Sequence, residues 1–243
     1  MQVFGPVVYM DVQKTASTYI TDVLSRALRH PLVEAPKHGR MERAKGDDEV
    51  VIISSREPVG AWLSLYNYGC SGEGRVRRRL ERQGLADSLY TGTPEGFDAW
   101  IRIVGGRGRR SMGVRAFDQL APKGVGFQTF RELMMSFAHP SRVLIECPNP
   151  DAVMAAYRHS RIVDHRLRYE FLQGDLVQLL SGPLEAHCRP GVDVVDLVAT
   201  SAPINASSRA VERGELLDGT VTWITRTEEV SSRITELWDQ EGE

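Results

Sequence analysis

The sequence predicts an α/β protein with a mainly parallel central sheet flanked by helices. Three observations carry this. "VFGPVVYMDV" (3–12) and "EVVIISS" (49–55) are apolar runs rich in β-branched residues, as buried strands are. Each runs through a short polar stretch into a pattern of helical period. Strands that alternate with helices in this way build a parallel sheet with helices packed on it.

The elements follow in chain order. Residues 3–12 read as one buried strand, followed by a turn at 13–17. Tyr19, Ile20, Val23, Leu24, Ala27 and Leu28 then recur at helical spacing. The strand at 49–55 ends at "REP", where Pro58 suits the first residue of a helix with Trp62, Leu63 and Tyr66 on its inner face. In "TPEGFDAWIRIV" (93–104), Thr93 is the expected N-cap, with Pro94 behind it. "TFRELMMSFA" (129–138) pairs Thr129 with Glu132 as a capping box, and "TRTEEVSSRITELWDQ" (225–240) pairs Thr225 with Glu228. Val230, Ile234, Leu237 and Trp238 form the apolar stripe of that last helix. "RVLIEC" (142–147) reads as a short strand or its remnant, and "GDLVQLLSGPL" (174–184) as a helix closed by a Gly-Pro break. The glycine- and arginine-rich stretches 69–92 and 105–127 are the expected loops. No internal repeat or low-complexity segment interrupts residues 1–243, which read as a single domain.

Composition narrows the function. Apolar residues make up 42% and charged residues 26%, ordinary for a globular protein, and the net charge of −2 argues against a general nucleic-acid binder. Cys70, Cys147 and Cys188 are odd in number, widely spaced and without a CxxC pair, which argues against a disulfide framework or a zinc site. No leader precedes the first strand and no apolar run approaches ~18 residues, so a cytoplasmic protein without a membrane span is expected. "RVRRRLER" (75–82) and "GGRGRR" (105–110) are either solvated faces or a rim that attracts an anionic substrate.

The turn "QKTAST" (13–18) sets Lys14 among Thr15, Ser17 and Thr18 at the mouth of a helix. The first N–H groups of a helix lack intrahelical acceptors, and the macrodipole adds positive charge there, so a phosphate suits the position. Ser17 or Thr18 could instead cap the helix. The Walker pattern GxxxxGK[ST] fails because Gln13 precedes Lys14 and no glycine lies between Asp11 and the helix.

This turn resembles the 5′-phosphosulfate loop of sulfotransferases that use 3′-phosphoadenosine 5′-phosphosulfate (PAPS). "KTAST" is most similar to the glycosaminoglycan 2-O-sulfotransferases. Gln13 stands where that family usually has proline, and Ala16 where it usually has glycine. "SSREPVGAWLSLYNYG" (54–69) resembles the family's 3′-phosphate element, on Arg56 and Ser64. Looser likenesses are "VDHRLRYEFLQGDLVQLL" (163–180), with Glu170 and Asp175 as scaffold, and "INASSR" (204–209), with Arg209 and Asn205 toward the 3′-phosphate.

The resemblance implies a three-layer P-loop-type fold and an enzyme that moves the sulfuryl group of PAPS onto a hydroxyl, leaving 3′-phosphoadenosine 5′-phosphate (PAP). Lys14 and the backbone of Thr15, Ala16, Ser17 and Thr18 would hold the 5′-phosphate, and Arg56, Ser64 and Arg209 the 3′-phosphate. No metal is required. His38, in "EAPKHGR", is the expected general base, with Glu34 in reserve and Lys37 to steer an anionic acceptor. The acceptor would be a carbohydrate or small natural product. The alternatives are a P-loop kinase using Mg-ATP and a non-catalytic nucleotide-binding module. The sequence does not specify an oligomeric state.

Overall fold

The computed structural model describes residues 1–33, 36–106, 115–201 and 210–241. Strands β1 (Gln2–Phe4) and β2 (Val7–Met10) lead into helix α1 (Ser17–Ala27), and β3 (Val50–Ser55) into α2 (Pro58–Cys70). Then come α3 (Arg75–Arg82), α4 (Ala86–Leu89), α5 (Pro94–Val104), α6 (Arg115–Leu120), α7 (Phe127–Ser136), α8 (Pro140–Ile145) and α9 (Pro150–Ser160). Strand β4 (His165–Arg168), α10 (Leu172–Leu180), α11 (Val194–Thr200), α12 (Asp218–Thr227) and α13 (Glu229–Glu241) complete the order. The protein is therefore α/β, with one four-stranded sheet, β1-β2-β3-β4, among many helices. β1 is antiparallel to β2, whereas β2, β3 and β4 run parallel.

The chain divides into two compact units. The first comprises Met1–Arg56, Arg131–Val143 and Ala155–Asn205, and the second Glu57–Phe130, Leu144–Met154 and Ala206–Glu243. The whole sheet belongs to the first. β2 and β3 are buried on both faces, as their continuous apolar runs require. One face packs Tyr9 and Ile52 against Tyr19, Ile20, Val23 and Leu24 of α1, and Leu176 and Leu180 of α10 join the same core.

In the second unit an aromatic cluster forms the centre. Tyr66 lies 5.3 Å from both Phe97 and Trp100, and Trp62 lies 5.7 Å from Trp100. Edge-to-face pairs of this kind add to what burial alone contributes. Glu228 is fully buried beside them. Its carboxylate accepts from Trp62 Nε1 (3.0 Å), Gln128 N (3.0 Å), Thr129 N (2.9 Å) and Thr129 Oγ1 (2.6 Å). Gly126 makes room for it, since a Cβ there would overlap the carboxyl group.

Several local expectations hold. Pro58 opens α2, with the Glu57 carboxylate accepting from Val59 N and Gly60 N. Thr93 caps α5 through Gly96 N. Others need correction. The run 3–12 is a hairpin rather than one strand, because Gly5, at φ 62°, and Pro6 turn the chain between Phe4 and Val7. Residues 142–147 are not a strand. Pro140 starts a helix there, and a short apolar run has no period that separates the two. Neither capping box forms. Helix α7 begins two residues before Thr129 and is capped by Glu228, while Thr225 lies inside α12 and bonds Val221 O. The stretch 69–92 contains α3 and α4, and 105–127 contains α6. Residues 107–114 of that second stretch lie outside the described residues.

Candidate anion-binding site

The carboxyl ends of the three parallel strands open on one edge of the sheet, where α/β proteins place ligands. β2 leads there to Asp11 and the turn 13–16, β3 to Arg56, and β4 to Tyr169.

The turn is built on left-handed backbone. Lys14 has φ 69° and Ala16 φ 62°, and Ala16 is the N-cap of α1 without a side-chain capping bond. The alternative in which the Ser17 or Thr18 hydroxyl caps the helix is therefore not what forms. Alternation into the left-handed region turns successive N–H groups toward one concavity, a shape that suits an anion. The N–H groups of Thr15, Ala16, Ser17 and Thr18 have no acceptor among the described residues, and neither do the Ser17 and Thr18 hydroxyls. Glycine adopts such a φ freely, whereas the β-carbon of Ala16 makes it strained.

A buried hydroxyl relay fixes this turn to the sheet. Thr15 Oγ1 donates to Val12 O at 2.7 Å, so it accepts from Ser54 Oγ at 2.6 Å. Ser54 in turn accepts from Tyr9 OH at 2.7 Å. The Thr15 side chain therefore faces the core, and only its amide is available to a ligand.

Four cations gather at the turn. Burial first, and then the charges of Arg56, Arg131 and Lys37, hold the Lys14 ammonium down to a pKa of about 8. Arg56 donates from Nη1 to Lys14 O at 3.3 Å, and its guanidinium lies 3.8 Å from the centre of the Tyr169 ring. Arg131 reaches the turn from α7 and donates to Gln13 Oε1. Concentrating like charges here costs stability unless an anion joins them.

His38 lies beside the same cluster. Its Nδ1 is 2.6 Å from Asp11 O and 3.3 Å from Asp11 Oδ2, and its N–H is 3.0 Å from each carboxylate oxygen of Asp11. Burial pushes the imidazole pKa below its ordinary value, the Asp11 carbonyl and charge oppose this, and Arg131 and Lys37 add to the lowering. The ring is thus neutral near pH 7. With Nδ1 donating to the Asp11 carbonyl, Nε2 carries the lone pair, and it has no partner among the described residues.

The structure brings Lys14, Thr15, Ala16, Ser17, Thr18, Arg56 and His38 together in the first unit. Ser64 lies half-buried on α2 in the second unit. Arg209, Asn205 and Glu34 lie outside the described residues. Asp175 has the scaffold role expected of it, clamping Arg168 through Nε (3.1 Å) and Nη2 (2.8 Å). Sequence reading missed Asp11, Ser54, Arg131 and Tyr169 as partners of the turn. Only Asp11, a carboxylate just past an apolar strand, carried a local signal. In the second unit, Arg75, Arg78, Arg79 and Arg82 share one face of α3, while Leu80 is buried and Arg77 pairs with Glu81. Neither a family model, nor a curated protein, nor a solved structure matches the chain, so the chemistry of the site rests on its own residues.

Proposed function

We propose that the protein is a PAPS-dependent sulfotransferase, with a three-layer P-loop-type fold, that moves a sulfuryl group onto the hydroxyl of a carbohydrate or small natural product. The observation that carries this reading is the left-handed turn at the mouth of α1, whose Lys14 stands among the charges of Arg56, Arg131 and Lys37. Such a site suits a doubly charged phosphate ester and supplies its charge balance from side chains.

In the reaction, the acceptor oxygen forms a bond to sulfur as the bond from sulfur to the 5′-phosphate oxygen breaks in line. Lys14 and the turn amides stabilise the charge that collects on the departing PAP. Nε2 of His38 takes the acceptor proton, a contribution of about 100- to 10,000-fold for a well-placed base. The roles of Ser64 and Arg209 at the 3′-phosphate rest on the resemblance of their sequence segments.

Calorimetric titration with PAP, beside 5′-AMP, ADP and ATP with and without Mg²⁺, tests the reading. Metal-independent binding that needs the 3′-phosphate is the expected result. Preference for Mg-ATP would move the protein to the kinases, and no binding at all would overturn the nucleotide reading.

A further inference from the structure

We infer that Asp11 is the positioning residue of the His38 base, holding both its backbone and its ring so that Nε2 carries the lone pair and is left for the acceptor. The reaction step in this inference rests on the transfer reading above; the hold of Asp11 on His38 does not.

Two features of His38 need an explanation beyond a surface loop. First, it sits at φ 58°, in the left-handed region, where a β-carbon costs about 1–2 kcal/mol. Among the described residues only four non-glycine residues have positive φ, and Lys14, Ala16 and His38 are three of them. Strained backbone gathered at one site is a mark of function. Second, Asp11 is fully buried, and both of its carboxylate oxygens take the His38 N–H, each at 3.0 Å, while Oδ1 also accepts from the Met1 ammonium. The carbonyl of the same residue takes Nδ1 at 2.6 Å. One residue therefore grips the strained backbone and selects the ring tautomer.

The surrounding charges give the carboxylate a second task. Lys37 on the same loop and Arg131 from α7 both disfavour an imidazolium. The Met1 ammonium pairs with Asp11 from the other side. When Nε2 takes the acceptor proton, the new positive charge faces Asp11 Oδ2, 3.3 Å from Nδ1. At that distance the carboxylate offsets the repulsion from the two cations. The proton passes from acceptor oxygen to Nε2, the electron pair of that O–H bond forms the new O–S bond, and PAP leaves with the pair of the broken bond.

The test combines ¹⁵N NMR of the histidine rings with pH–rate profiles of the full chain. In the wild type, His38 should titrate from a neutral form protonated at Nδ1. A neutral form protonated at Nε2 would overturn the inference without any variant. Asp11→Asn removes the charge and one acceptor for the His38 N–H. The His38 titration, and the acid limb of kcat/KM with it, should move about one pH unit lower, and kcat should fall about 10- to 100-fold. A merely structural role would leave that limb in place, and this result would overturn the inference. Should Asp11→Asn fail to fold, the wild-type tautomer still decides. An acid limb that persists in His38→Ala overturns His38 as the base. Absence of PAP binding alongside the Nδ1–H tautomer supports the Asp11–His38 arrangement and overturns the transfer reading instead.

Discussion

Raising the pH from about 7 to about 9 should weaken binding of PAP roughly tenfold, with proton uptake growing in step. The perturbation acts on Lys14, whose pKa of about 8 reflects burial and the neighbouring Arg56, Arg131 and Lys37. At that value about one tenth of the free protein has lost the Lys14 proton at pH 7, about half at pH 8 and about nine tenths at pH 9. A phosphate dianion in the turn returns Lys14 toward the ordinary lysine range, because an opposite charge at close range favours the protonated form. Binding therefore takes up about 0.1, 0.5 and 0.9 proton at those three pH values, and apparent affinity falls as the uncharged fraction grows. The phosphate, with its second pKa near ~6, is about one tenth monoanionic at pH 7 and fully dianionic by pH 8, so its own titration bears only on the low end of the range. The assay is calorimetry in pairs of buffers with different ionisation enthalpies, which separates proton uptake from binding. Lys14→Met should bind more weakly at every pH and show neither dependence. A flat affinity over the range, with uptake below about 0.1 proton throughout, would refute the charge crowding inferred around Lys14.

Three further outcomes are expected. Ala16→Gly relieves a left-handed φ of 62° and should raise stability by about 0.5–1 kcal/mol in urea titrations, the strain released less the added freedom of the unfolded chain. Arg56→Ala removes a guanidinium that holds Lys14 O and should weaken PAP binding about 10- to 100-fold by calorimetry, the range for a charge-assisted hydrogen bond. Glu228→Gln substitutes an amide NH₂ for one of two oxygens that face four donors, and should cost about 2–4 kcal/mol in denaturant unfolding while PAP affinity is unchanged.

The legible parts of this fold are those whose signals lie close together in the chain. Strand, turn and helix are contiguous around Lys14, so the candidate site announces itself within a dozen residues. The same holds for Pro58 at the start of α2 and for Thr93 with Gly96 at the start of α5. The misread parts depend on distant partners. Thr129 has the glutamate spacing of a local cap, but a carboxylate 99 positions away takes its N–H and hydroxyl. The "HRLR" of β4 alternates too weakly to read as a strand and owes its form to pairing with Ile52–Ser55. Arg131 reaches Gln13 across 118 positions and Tyr169 meets Arg56 from another strand end, so no local pattern could mark either as part of the site.

The pairing of Gly126 with Glu228 has a consequence for how this sequence can drift. The carboxyl group occupies the space that a β-carbon at 126 would need, so the two positions are not independent loci. While an acid stands at 228, every side chain at 126 is selected against. Once the acid is lost, the caged volume is vacant and alanine or serine at 126 becomes a repair rather than a lesion. A two-site library should therefore return its survivors along two separate ridges, glycine with glutamate or a small side chain with a shortened partner, with few viable single steps between them.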